Sequence, residues 1–262
     1  LQPIEAGTPF RRIVEAHGAA RLTEIHRQSE DWQKLATSDL AAGRINDSVE
    51  RYARHDAVCN EPSQDLAIAK LVQDYLTDLA NDTETASCLA FAHRRKDVYA
   101  LNQAIRCALR SSLEDEDILV QTETGPRAFA AGDRIVFTRN DRELGVRNGM
   151  LGTVKSIGSK RISVAVDGGS PQAISFDPTA YKAFEHGYAT TIHKSQGATV
   201  DRAYVLASRS MDEHLSYVAM SRHRKNMRLY INKEDRPRWS GERQSADQSQ
   251  RPKRKVRRGL SF

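Results

Sequence analysis

Long hydrophobic runs are missing from this chain of 262 residues. No stretch of about 18 apolar residues occurs, so no membrane-spanning helix is expected. The opening residues, Leu1-Gln2-Pro3-Ile4-Glu5, have neither a basic start nor an apolar core, so they do not read as a secretory signal. They also lack Met, and the chain reads as an internal piece of a longer protein. Cysteine is scarce: Cys59, Cys88 and Cys107 are scattered and odd in number. Disulfide frameworks and zinc sites need paired, closely spaced ligands. Free thiols in a reducing cytoplasm are therefore expected, and no metal site. The eight histidines are dispersed as well. A charge excess is missing from most of the chain. Residues 233–262 carry ten Lys/Arg and four Asp/Glu, which leaves 40 − 10 = 30 basic and 34 − 4 = 30 acidic residues in 1–232. The high pI thus belongs to the tail and does not show that the body binds nucleic acid.

What is present is an ordinary globular composition, 39% apolar and 28% charged, with enough length for a sizeable core. Pro9 suits the first turn of a short helix, Phe10 to Ala16, and Arg21 to Ile25 reads as a strand. Trp32, Leu35, Ala36 and Leu40 recur at helical spacing over Asp31–Ala42, with Gly43 placed to end the helix. A second helix is expected over Asn46–Arg54, and a long one after Ser63. Ser87 to Phe91 reads as a buried strand that feeds a helix over Lys96–Arg110, a βα unit of a parallel sheet.

From about Leu113 the pattern changes to short alternating strands at Ile118–Val120, Asp133–Phe137, Leu151–Ile157, Arg161–Val166 and Gln172–Phe176. Gly and Asn-Gly punctuate them, with no helix between, which predicts a small antiparallel barrel of about five strands. The α/β pattern resumes at Tyr188. Four regions follow: 1–112, a first α/β part; 113–180, an inserted barrel; 181–232, a second α/β part; and 233–262, a basic tail too poor in apolar residues to order itself. Arg251–Arg258 holds six basic residues in eight, a solvated run or a non-specific nucleic-acid contact.

Chemistry concentrates in 187–224. The strand Tyr188–Ile192 breaks into His193-Lys194-Ser195-Gln196-Gly197. Backbone amides, a hydroxyl and one point charge together suit phosphate oxygens or a sugar, although a solvated turn with a lone lysine explains the loop equally well. Arg222 and Arg224 follow the helical run His214–Met220, and Arg27 follows the strand Arg21–Ile25. A guanidinium keeps its charge at any pH and bonds bidentately to phosphate, so Arg27, Arg222 and Arg224 are candidate phosphate binders. No nucleophile and base pairing is evident, so hydrolysis through a Ser or Cys nucleophile is not expected.

These segments carry a resemblance. Leu1-Gln2-Pro3-Ile4-Glu5-Ala6-Gly7 resembles the close of helicase motif III, and Leu22-Thr23-Glu24-Ile25-His26-Arg27-Gln28 resembles motif IV of superfamily 1 helicases. Thr190 to Asp201 resembles motif V and Tyr217 to Arg224 resembles motif VI, in the order of the RecD-like branch. Asp133–Phe137 and Asn148–Val154 resemble its Src-homology-3-like insert. Closer still, the chain is similar to the helicase portion of TraA/MobA-type conjugative relaxases. The resemblance implies a second RecA-like motor domain of an ATP-dependent DNA helicase, a parallel sheet flanked by helices and interrupted by the barrel. It implies that Arg27 and Arg222 reach the γ-phosphate of ATP as catalytic residues, that Gln196 and Gly197 lie on the nucleotide side, and that Thr191, His193, Lys194 and Ser195 meet single-stranded DNA. The barrel would act as a pin or strand guide.

One departure matters. No Gly-x-x-x-x-Gly-Lys-Ser/Thr and no acidic strand-end motif for Mg²⁺ occurs in the chain. ATP and Mg²⁺ are then expected in the full-length parent and not tightly on this fragment alone, which is expected to be inactive. The partners expected are single-stranded DNA and an N-terminal RecA-like motor domain, with no membrane. The alternative is a non-catalytic single-strand-binding module derived from half a helicase.

Overall fold

The computed structural model describes residues 16–18, 25–81, 87–110, 117–167 and 173–239. The segment Leu1–Gly7, nearly all of the expected helix Phe10–Ala16 and strand Arg21–Ile25, and the tail beyond Trp239 lie outside these residues.

Five strands form one parallel sheet in the order β1-β12-β11-β2-β10. They are β1 (Val58–Glu61), β2 (Cys88–Ala92), β10 (Ala189–Thr191), β11 (Val200–Leu206) and β12 (His223–Asn232). β2 shows why the sequence folds this way. All five of its residues are buried. Side chains alternate across a sheet, so Leu89 and Phe91 enter one core while Cys88, Ala90 and Ala92 enter another. A strand covered on both faces needs a continuous apolar run, and Cys-Leu-Ala-Phe-Ala supplies it.

Helices α3 (Gln64–Asn81) and α4 (Arg95–Arg110) cover the second face with Ala67, Leu71, Tyr75, Leu101 and Ile105. Helices α1 (Asp31–Ala41), α2 (Ile45–Ala53) and α5 (Glu213–Met220) cover the first with Ala36, Leu40, Tyr52, Leu215 and Val218. Ser63 Oγ accepts from Leu66 N at 3.4 Å, which starts α3, and Asp212 Oδ1 accepts from Leu215 N at 2.8 Å, which caps α5.

The antiparallel insert differs in composition from the five strands expected. Ile118–Thr122 (β3) pairs with Gly125–Phe129 (β4) as a separate hairpin. The five-stranded sheet runs β8-β7-β6-β5-β9, from Ala173–Phe176, Ile162–Val166, Leu151–Ile157 and Arg134–Phe137 to Phe184–His186. β9 lies beyond residue 180, and pairs Val136 with Glu185. Hairpin and sheet share one core, with Val120, Phe129, Phe137, Val164, Phe176 and Phe184 in it.

Asp133 joins insert and parallel sheet. This 1%-exposed carboxylate accepts from Arg106 Nε of α4 at 3.0 Å, from Tyr188 Oη at 2.8 Å and from Ala130 N at 2.8 Å. Asn102 of α4 accepts from Tyr188 N and Ala189 N, and donates to Ala189 O. Between β9 and β10, a Cβ on Gly187 would lie 2.5 Å from Ile135 C, so the chain crosses there only as glycine.

Residues 233–239, counted with the tail in the sequence, pack against the domain. Lys233 N donates to Glu61 O, Asp235 accepts from Arg209 N and pairs with Arg94, and Trp239 Nε1 donates to Ser216 Oγ of α5 at 2.9 Å. Trp239 is buried in the core with α5, because one indole brings enough apolar area to hold a polar strap in place.

Candidate nucleotide and nucleic-acid interface

The segment between β10 and β11 joins the two edges of the parallel sheet. Thr191 is level with Ala92, the last residue of β2, so β10 ends at the carboxyl edge. Val200 pairs with His223, the first residue of β12, so β11 begins at the amino edge. Residues 192–199 therefore run back across the whole sheet without a helix.

At the amino edge two arginines converge. Arg27 donates through Nη1 to Ser221 O at 2.7 Å and through Nε to Thr199 Oγ1 at 3.1 Å. Arg222, 8% exposed, donates through Nε to Val218 O at 2.8 Å and lies against Ser221 Oγ and Ala198 O. Its place at the carboxyl end of α5 suits a cation. Burial, then the charge of Arg27, pushes Arg222 below the usual arginine range. No carboxylate pairs with either arginine among the described residues. Two guanidinium groups held by neutral oxygens retain capacity for an anion. Gln28 fastens the same turn, with Nε2 donating to Ser221 O and His223 O. His223 is fully buried against Tyr52 Oη, and burial pushes it down to about 4.

In open α/β sheets, binding groups gather at the carboxyl ends of the strands. The arginine pair lies instead at the amino ends of β11 and β12, because Ser221 ends α5 just before β12 begins. Arg224 stands apart, on β12 rather than after the helix, half-exposed and bonded to Asp201 at 3.2 Å. Burial works against it, but bonds from Ser87 and Arg224 hold Asp201 below the ordinary carboxylate range.

The loop itself divides. His193, Lys194, Gln196 and Gly197 are exposed, and Gly197 has φ +88°. Thr191 Oγ1 accepts from Lys194 N. Ser195 was expected to face DNA, yet it is 1% exposed and donates to Ile192 O at 2.7 Å. Ile192 O also accepts from Ser195 N at 3.2 Å, so Ser195 braces the turn through both groups. The insert reaches the loop as well: a Cβ on Gly149 would lie 3.6 Å from Lys194 O.

The motif reading gave no role to Gln28 and Thr199, although both lie inside the matching runs, and it passed over His93, which leaves β2 beside the loop. No group of three or more His, Cys, Asp or Glu that could hold a metal occurs among the described residues.

Known proteins resemble this chain in sequence and in fold. Residues 1–62 match the AAA domain family, and residues 143–231 match the viral superfamily 1 RNA helicase core domain. The conjugal transfer protein TraA of Agrobacterium fabrum is 43% identical over 232 residues, 88% of this chain and 21% of that protein. A probable TraA of Sinorhizobium fredii is 42% identical with the same coverage. The ATP-dependent DNA helicase Pif1 of Bdellovibrio bacteriovorus is 34% identical over 113 residues, 38% of this chain and 26% of the relative. The chain spans about a fifth of the length of the TraA relatives, 21%. Among solved structures, Bacteroides Pif1 bound to single-stranded DNA superposes with TM-score 0.53 at 18% identity, over 80% of this chain and 52% of that one. Candida albicans Pif1 gives 0.52 at 14%, over 82% and 56%. At these identities the likeness is one of fold: a RecA-like parallel sheet flanked by helices.

Proposed function

We propose that this chain, which is similar to the TraA conjugal transfer proteins, to a Pif1 helicase and to the viral superfamily 1 RNA helicase core domain, is the C-terminal motor half of an ATP-dependent DNA translocase within a plasmid conjugative relaxase. One observation carries the reading. A single loop, 192–199, ties an arginine pair without carboxylates at one sheet edge to exposed His193 and Lys194 at the other.

In the parent, ATP lies between this domain and an N-terminal RecA-like motor domain that supplies the phosphate cradle. Phosphoryl transfer to water develops charge on the γ-phosphate oxygens. Arg27 and Arg222 are the groups here that meet that charge, and Gln196, Gly197 and Arg224 complete the nucleotide side. Guanidinium donors without a carboxylate do not fit Mg²⁺, so the metal is assigned to the other half and no step here passes through it. Thr191, His193 and Lys194 take the DNA, mainly through its phosphates, while Ser195 braces the turn. The antiparallel insert, read as Src-homology-3-like, guides the strand from beside Lys194. The four regions read from the sequence are proposed as functional units, with the insert continued to β9 and residues 233–239 joined to the second α/β part. The work is placed in the cytoplasm. Residues 1–262 alone lack the cradle motif and do not turn over ATP.

Arg222→Ala in the full-length parent should lower kcat by about 10³-fold or more, as for arginines that act on the transition state. Single-strand affinity should hold. Unchanged turnover would remove Arg222 from the mechanism. One observation favours a second reading, a non-catalytic strand-holding module: no phosphate-cradle sequence occurs in the chain. DNA-stimulated ATP hydrolysis by the parent decides between them.

A further inference from the structure

The carboxyl edge holds His93 and Ser210, which lie outside the four helicase-like segments. β2 and β10 are neighbours, with Ala92 level with Thr191, so His93 and His193 leave adjacent strand ends. Their rings lie 5.4 Å apart at 63°, edge to face. On the other side, Ser210, which follows β11, lies 2.8 Å from His93 Nδ1, and Ser208 Oγ is 3.0 Å from Ser210 Oγ. A hydroxyl on one ring nitrogen fixes the imidazole's orientation and leaves Nε2 turned elsewhere. Three adjacent strands thus present a hydroxyl, an oriented imidazole and a second imidazole with Lys194 next to it. Neither histidine forms an ion pair with a carboxylate among the described residues.

Single-stranded nucleic acid is held by positive charge along its backbone and by flat rings against its bases. Lys194 provides the first, and two imidazoles one strand apart provide the second. Resting on the reading of this edge as the DNA side, we propose that His93, positioned by Ser210, is a further single-stranded DNA contact that carries the strand from the His193–Lys194 loop across β2 toward β11. The path then crosses the sheet edge instead of ending at the loop. His93 meets a base with its ring, and Ser210 acts through His93 as a positioning residue.

The test is fluorescence-anisotropy titration of the full chain with labelled oligo-dT at several salt concentrations. His93→Ala should weaken binding about tenfold, the loss of one stacked base, with the salt slope unchanged because no charge is removed. Lys194→Ala should weaken binding and reduce the slope by about 0.7. His93→Phe, which keeps a flat ring, should retain most of the affinity, and this separates stacking from disturbed folding. Ser210→Ala should give a smaller loss than His93→Ala. If Lys194→Ala weakens binding and His93→Ala stays within twofold of the unaltered chain, the extended path is wrong and the DNA side stands. If the unaltered chain does not bind, or neither substitution matters, the DNA side and the extension fail together.

Discussion

Acidification should destabilise this fold through His223, and the size of the effect can be worked out. His223 is 0% exposed, and Tyr52 Oη lies 3.3 Å from its Nε2. Nδ1 has no hydrogen-bond partner among the described residues. Burial first, opposed by the Met220 backbone and helped by the charge of Arg27, pushes it from 6.5 to about 4. The unfolded chain takes up the proton with ordinary imidazole affinity and the folded chain resists it. Between pH 6.5 and about 4 the unfolded state therefore holds more protons, and stability falls as pH falls. Above that window the contribution is constant. At pH 5.0 the two affinities give RT ln[(1 + 10^1.5)/(1 + 10^−1)], a loss of about 2 kcal/mol relative to pH 7.5. Urea unfolding at both pH values measures it, in the unaltered chain and in His223→Gln. Each protein is referred to its own value at pH 7.5, so a constant cost of substitution cancels. His93 and His186, also pushed down by burial, cancel as well because both proteins carry them. The unaltered chain should lose about 2 kcal/mol more than the variant between the two pH values. Equal losses would falsify the assignment of this proton to His223.

Two further outcomes follow from packing. Trp239→Ala should lower the unfolding free energy by about 3–5 kcal/mol, the usual cost of emptying a buried aromatic site, and a loss in urea unfolding well under 1 kcal/mol would mean that the strap is not anchored there. Gly187→Ala should cost about 3 kcal/mol, since its Cβ would press on Ile135 O at 2.6 Å as well as on Ile135 C. That corresponds to a Tm lower by about 6–12 °C, and an unchanged melting curve would contradict the close crossing at Gly187.

Elements that bury both faces or repeat at helical spacing were legible in the sequence. β2 and α4 appear within a residue of their expected bounds because continuous apolar residues and a 3.6-residue stripe leave few other solutions. What escaped was held by tertiary pairing. β1 is the four-residue edge Val-Cys-Asn-Glu, and β4 opens with Gly-Pro, which reads as a turn. β12 begins His-Arg-Lys-Asn and becomes apolar only in its second half, so its charged start hid the longest strand of the sheet. In the site, motif order alone brings Arg27 and Arg222 together, because both lie in recognisable runs. The inward turn of Ser195 and the side pairing of Arg224 with Asp201 could not be read, since neither leaves a periodic trace.

The Asp133 node bears on how the chain finds this arrangement in time. β2 and β10 are neighbours in space but lie on either side of the entire insert in sequence. Closing so long a segment delays pairing and slows folding. The insert is made mostly of sequential antiparallel partners, β3 with β4, then β5, β6, β7 and β8 in order, which assemble from local contacts. Once it has folded, Asp133 on its near side holds both Arg106 and Tyr188. That brings the start of β10 to α4, where Asn102 receives it. A long search becomes a short one, and the insert acts as a splint on which the parallel sheet is completed.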